Sequence, residues 1–218
     1  MDRLRGQVML IVSRGRRTFE ELCDLAAAAV RAGVAIVQLR EKDVPVMEFI
    51  AAGELLAKVA HEAGALLLIN DRIDVALAVG ADGVHLGLED FPILPARKAL
   101  GPQPIIGATC RNSTQARRAL RQGASYVSAG PVFASPTKPE LRPRGLEVVR
   151  QVSQAVALPV CALGGLTAER VARVMAAGAD LIAVSSAITE AEDPGAAAQR
   201  LVAEVRRCYS ARPPRSPC

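Results

Sequence analysis

The chain has 218 residues, half of them apolar and 22% charged, which suits one large globular domain. Only 3% are aromatic and none is Trp, so base stacking on single strands is a poor expectation. The net charge of +5 comes largely from arginines near the two ends, with no long basic block between them; this disfavours nucleic acid and leaves room for an anionic small molecule.

The apolar run Val8–Val12 is too short for a signal peptide or a membrane span. Five scattered cysteines, Cys23, Cys110, Cys161, Cys208 and Cys218, show neither CxxC nor metal-ligand spacing, which predicts reduced thiols in a cytoplasmic protein.

In chain order, Val8–Val12 reads as the first strand. Thr18 to Glu21 (TFEE) is a capping box opening a helix whose Leu22, Leu25, Ala26 and Ala29 recur at helical spacing. A unit then repeats: a helix ends in a small residue plus Gly, and an apolar strand follows. It occurs as RAGVAIVQLR, EAGALLLIN, AVGADGVHLG, RQGASYVSAG and AAGADLIAVSS. Gly suits the left-handed residue that closes a helix, and the uninterrupted apolar runs read as strands buried on both faces. Further strands are expected over 34–39, 65–69, 83–86, 104–107, 125–129, 159–163 and 181–185. Asp193-Pro194 opens the last helix as N-cap and first helical residue. Eight such units over 1–207 predict a single (β/α)8 TIM barrel, with 208–218 a Pro- and Arg-rich tail expected to fray. A doubly wound open sheet is the rival, but SRGRRT follows the first strand where GxGxxG would stand.

A barrel of this kind carries its chemistry at the C-terminal ends of the strands. Those ends hold Gln38, Arg40 and Lys42; Asn70, Asp71 and Arg72; His85 and Asp90; Thr109 and Arg111; the segment GPVFASPTKP with Ser135, Thr137 and Lys138; Gly164-Gly165; and Ser185-Ser186. Lysine is scarce, only Lys42, Lys58, Lys98 and Lys138, and two of the four lie just beyond strand ends. A compact ammonium suits a phosphate oxygen.

Asp71 and Asp90 end consecutive strands. They are a candidate Mg²⁺ pair, or each caps its following helix, or each pairs with Arg40 or Arg72. Gly164-Gly165 and Ser185-Ser186 stand where barrels often bind phosphate; taken singly they are ordinary turns. FASPTKP closes over an anion or is a surface turn. His61 is expected on the surface, His85 at the mouth or in a structural role, and Cys161 in the core. Cys110 has no nucleophile signature.

With those residues in view, the chain resembles the thiamine-phosphate synthase family from about Val8 to Ile188. Seven motifs carry the resemblance in order: VQLREK, LINDR, GADGVHLGLED, IIGAT, GPVFASPTKP, ALGGL and AVSSAI. The resemblance implies joining of a pyrimidinylmethyl diphosphate to a thiazole phosphate by a dissociative, Mg²⁺-assisted substitution. It places Gln38, Arg40, Lys42, Thr109 and Lys138 on the diphosphate side, with Arg40, Lys42 and Lys138 catalytic. Asn70 falls on the pyrimidine and Asp71 and Asp90 on Mg²⁺. Ser135, Thr137, Gly165, Ser185 and Ser186 fall on the thiazole phosphate. The implied partners are these small molecules, not nucleic acid or membrane; a homo-oligomer is left open. Thr109 replaces the family's usual Ser, Ser135 its frequent Thr, Leu88 its usual Gln and Arg111 a common His. A thiazole tautomerase on the same barrel is the runner-up, but such relatives lack the aspartate pair and use a His after the sixth strand. No His follows His85 here. The alternative of another class is a non-catalytic thiazole-phosphate binding protein.

Overall fold

A computed structural model describes residues 2–135 and 141–212. Eight parallel strands alternate with helices, and the first strand pairs with the eighth to close a (β/α)8 barrel. The strands are β1 Val8–Val12, β2 Ile36–Leu39, β3 Leu66–Asn70, β4 Gly83–Leu86, β5 Ile105–Cys110, β6 Tyr126–Ala129, β7 Val160–Leu163 and β8 Leu181–Val184. Between and after them run α1 Phe19–Arg31, α2 Val46–Glu62, α3 Ile73–Ala78, α4 Ile93–Leu100, α5 Ser113–Arg121, α6 Gly145–Ala155, α7 Ala168–Ala176, α8 Ser186–Thr189 and α9 Pro194–Ser210. The Val8↔Ile182 and Leu10↔Val184 pairings rule out the open sheet.

Two apolar clusters explain why the strand sequences do not alternate between apolar and polar. Successive side chains on a strand face opposite sides. One set, including Leu10, Val37, Leu67, Val84 and Val127, packs against the helices. The other, including Met9, Ile36, Leu66, Leu68, Tyr126, Cys161 and Leu181, fills the barrel. Leu4, in a 3-10 turn over Asp2–Leu4, joins this inner set and closes it from the N-terminal side.

Local signals in the sequence appear as expected. Thr18 and Glu21 cap each other reciprocally at α1, and the Asp193 carboxylate accepts from Ala196 N–H ahead of Pro194 at α9. The GAD and GAS segments ahead of β4, β6 and β8 do more than the repeat implied. Asp82 donates its N–H to Leu67 O while its carboxylate accepts from Leu67 N–H. Ser125 treats Ile106 the same way, and Asp180 treats Val160 the same way. One residue thus makes both ladder bonds to the neighbouring strand and sets its register.

Most strands differ from expectation by a residue or two at an end, β2 starting at Ile36 and β3 running on to Asn70, and three boundaries differ for a physical reason. Strand β5 runs on to Cys110, beyond Gly107, with Thr109 paired to Ser128 and Cys110 to Ala129. Gly107 reads as a strand end, but its role is space: a Cβ there would meet Tyr126 Cζ at 2.2 Å. Strand β8 stops at Val184, because Ser185 begins the short α8. Helix α9 continues through Cys208 to Ser210. Among the described residues all four cysteines are free thiols, and no helix is long and apolar enough to cross a membrane.

Candidate active site at the C-terminal rim

The C-terminal ends of the strands surround one cavity of about 280 Å³. Gln38, Arg40, Lys42, Asn70, Asp71, Asp90, Thr109, Ser135, Gly165, Ser185 and Ser186 all line it. Thr137 and Lys138 lie outside the described residues. The rim therefore has an order fixed by topology: cations after β2, an amide and carboxylate at β3, a carboxylate after β4, a hydroxyl at β5. Ser135 lies beyond β6, the glycines follow β7 and the serines follow β8.

Asp71 sits in left-handed backbone, with φ +66, a conformation that Asp and Asn tolerate better than most residues. Its N–H ends the β3–β4 ladder by donating to His85 O at 2.8 Å, and Arg72 N–H, donating back to Asn70 O at 2.8 Å, closes a tight turn around it. The carboxylate pairs with the Lys42 ammonium and hydrogen-bonds the Asp90 carboxyl. It caps no helix: the N-cap of α3 is Arg72, whose guanidinium binds Asp74 instead, at 2.8 and 2.5 Å. Asp90 is no cap either, since the N-cap of α4 is Pro92. Asp90 Oδ2 accepts from Gly87 N–H at 2.7 Å, and a Cβ on Gly87 would approach that oxygen to 2.5 Å. Glycine at 87 is what lets the carboxylate fold back over its own loop.

Two carboxyls in contact do not ionise alike. Burial pushes Asp90 up, and its hydrogen bond and charge interaction with Asp71 push it further; the Gly87 N–H and Lys42 only partly oppose this. Burial also pushes Asp71 up, but the Asp90 hydrogen bond, the Lys42 contact and the Arg40 charge outweigh it, so Asp71 lies below the usual range. Of the two, Asp90 is therefore the carboxyl that takes up a proton first as pH falls. Among the described residues no cluster of three or more His, Cys, Asp or Glu side chains is placed to hold a metal, so the donor set is this pair of hard oxygens.

Across the cavity, the segment after β6 lies on the turn after β7. Val132 N–H donates to Leu163 O at 2.9 Å and Phe133 N–H to Gly164 O at 3.0 Å. Gly164 and Gly165 have φ +98 and +61, and a Cβ on Gly165 would meet Ala134 O at 2.1 Å. Both glycines are needed for the conformation and for the close approach. Their backbone, the Ser135 hydroxyl and the serines after β8 give this side hydrogen-bond donors and no carboxylate among its lining residues.

The thiamine monophosphate synthase family model matches residues 8–188. The chain belongs to the thiamine monophosphate synthase family. It is 49% identical, over 84% of its length, to the thiamine biosynthesis bifunctional protein ThiM/ThiE of Symbiobacterium thermophilum, of which it spans 38%. It is 44% identical to the thiamine-phosphate synthase of Roseiflexus castenholzii, over 90% of this chain and 87% of that one. The solved thiamine phosphate pyrophosphorylase of Pyrococcus furiosus superposes with a TM-score of 0.85 at 35% identity, over 95% of this chain and 99% of that one.

In this member of the thiamine monophosphate synthase family, the cavity floor holds residues that motif reading passed over. Tyr126 is fully buried in the barrel, and its hydroxyl lies 2.8 Å from His85 Nδ1. His85 Nε2 lies 3.0 Å from Thr109 Oγ1 and 3.5 Å from Ser128 Oγ. Burial, then the Cys161 thiol, push the Tyr126 phenol well above its ordinary range, so it keeps its proton. His85 links the barrel floor at Tyr126 to the Thr109 hydroxyl at the cavity wall. His85 is thus both at the mouth and structural. The signal for Tyr126 and Ser128 was alternation: both share the inward face of β6. Cys161 is buried as expected, though on the cavity side. His61 lies on the surface and bonds Asp82 at 2.9 Å. Arg111, expected at the end of β5 but given no role there, also lines the mouth.

Proposed function

We propose that the protein is a thiamine-phosphate synthase. It joins 4-amino-2-methyl-5-pyrimidinylmethyl diphosphate to 4-methyl-5-(2-phosphoethyl)thiazole in its carboxylated form, giving thiamine phosphate and releasing diphosphate and, from the carboxyl group, carbon dioxide. Within a member of this family, one observation carries the reading. A single cavity has cations beside paired carboxylates on one side and glycine and serine donors on the other. That arrangement suits two phosphorylated substrates held face to face.

The paired carboxylates fit Mg²⁺, which takes hard oxygen ligands and completes its shell with water and substrate phosphates. Two like charges in contact, open to a cavity, are a donor set that a divalent cation relieves. When bound there, Mg²⁺ supplies neutralisation of charge on the leaving diphosphate. Arg40 and Lys42 provide fixed positive charge to the same group, and Thr109, oriented by His85, donates a hydrogen bond to it. Gln38 serves the diphosphate as well, and Asn70, buried at the end of β3, holds the pyrimidine. As the C–O bond breaks, its electron pair leaves with the diphosphate, and the thiazole nitrogen supplies the pair for the new C–N bond. Ser135, Gly165, Ser185 and Ser186 hold the thiazole phosphate so that this nitrogen faces the reacting carbon. Thr137 and Lys138 belong by sequence to the same loop as Ser135, with Lys138 serving the diphosphate. No general base is required, and the site's inventory of anion binders agrees with that. We place the reaction in the cytoplasm.

The test is diphosphate release with both substrates and Mg²⁺. Release should require all three, and its absence would overturn the reading. Lys138→Ala should lose far more activity than Lys98→Ala; equal losses would remove Lys138 from the site.

A further inference from the structure

Arg170 touches no part of the cavity directly, yet it holds two of the segments that build the cavity's phosphate side. It stands in the first turn of α7. Its Nη1 donates to Gly165 O at 2.5 Å, and its Cζ lies 4.7 Å from the centre of the Phe133 ring. Arg173, one turn on, lies 5.3 Å from the same ring. One guanidinium therefore binds the turn after β7 through a charge-assisted hydrogen bond and the segment after β6 through a cation–π contact. Ser135 follows Phe133 by two residues and lines the cavity, as does Gly165. The backbone bonds between the two segments end at Phe133 N–H. From there to Ser135 the alignment relies on side chains, and Arg170 with Phe133 is the pair that spans the gap.

We propose that Arg170 is a positioning residue for the thiazole-phosphate half of the site. It clamps Phe133 and the Gly165 carbonyl together and so fixes the spacing between the Ser135 hydroxyl and the Gly165 backbone. The inference rests on the reading that this half holds the thiazole phosphate. Its consequence is selective, because Arg170 makes no recorded contact with the carboxylate side of the rim.

Steady-state kinetics with each substrate varied in turn tests it. Arg170→Ala should raise KM for the thiazole phosphate about tenfold, the effect of losing one hydrogen bond from a charged group. KM for the pyrimidine diphosphate and kcat should stay near wild type. Arg170→Lys keeps a cation and a donor and should recover most of the loss. Phe133→Leu keeps apolar volume in a folded chain and should raise the same KM about threefold, a typical cation–π contribution at a part-exposed site. Arg173→Ala, which breaks no bond to Gly165, should change little. Unchanged thiazole-phosphate KM in Arg170→Ala and Phe133→Leu, or equal rises in both KM values, would overturn the assignment while leaving the synthase reading intact. Wild type that releases no diphosphate would overturn both.

Discussion

Asp71 and Asp90 differ in acidity because Lys42 and Arg40 favour the charge on Asp71, while Asp90 has burial and a like-charged neighbour. The raised Asp90 carboxyl is protonated more readily folded than unfolded. Its contribution to stability is therefore favourable at acid pH and is lost as pH rises through the folded value. Asp90→Asn removes the repulsion. Without Mg²⁺ at neutral pH it should melt a few degrees above wild type, and it should lose the stabilisation that Mg²⁺ with diphosphate gives wild type. A lower melting temperature would contradict the repulsion between the two carboxylates. The sign for metal binding is the opposite: wild-type affinity should weaken as pH falls through the Asp90 titration, because the proton and the cation compete for one oxygen. Gly87→Ala probes the loop itself. Backbone at 87 accepts Ala, but the added Cβ displaces Asp90 Oδ2. The fold should survive while Mg²⁺ demand rises about tenfold or more, on the scale of a lost second-shell contact; unchanged Mg²⁺ dependence would show that Asp90 is not held where the metal is used. Proximity of the two aspartates was legible from consecutive strand ends. The difference in their acidity was not, because it depends on Lys42 and a buried backbone bond that no spacing encodes.

Among elements, the GAD and GAS turns show how a short repeat sets a large geometry. Each reads in sequence as a glycine ending a helix before an apolar strand. The residue after the alanine proves to be a two-point clamp on the preceding strand. Asp180 is the most loaded of the three: 1% exposed, it also accepts from Arg5 at 2.7 Å and from Arg212 at 3.4 Å. Asp180→Ala should destabilise the barrel by about 3–5 kcal/mol, the cost of breaking a buried ion pair from one side. Denaturant unfolding measures this, and a loss near zero would show that the clamp does not hold β7 to β8. Helix and strand types were legible because Thr18, Asp193 and the apolar periods act within a few residues. The end of β5 was not, since Gly107 makes room for Tyr126, a partner nineteen positions away on the next strand. Tyr126 and Ser128 were missed for a related reason: an inward polar residue on a barrel strand looks the same in sequence whether it fills the floor or faces a ligand.

For the molecule as a whole, barrel closure turns residues scattered from Gln38 to Ser186 into one ring, and it sets carboxylates and cations opposite a half lined by glycines and serines. Architecture and the identity of most ring members were readable because barrel chemistry gathers at strand ends and the motifs fall there in order. What the ring does to an anion depends on distances that arise only when β1 meets β8. The account's central claim is that diphosphate departs at the Asp71–Asp90 side, between the paired carboxylates and the cations after β2. A crystal structure of the protein with Mg²⁺ and diphosphate tests this most directly. The account predicts a cation about 2.0–2.1 Å from oxygens of both Asp71 and Asp90, with diphosphate bridging it to Arg40 and Lys42. Diphosphate bound instead at Gly165 and Ser186, or elsewhere, with no cation between Asp71 and Asp90, would contradict it.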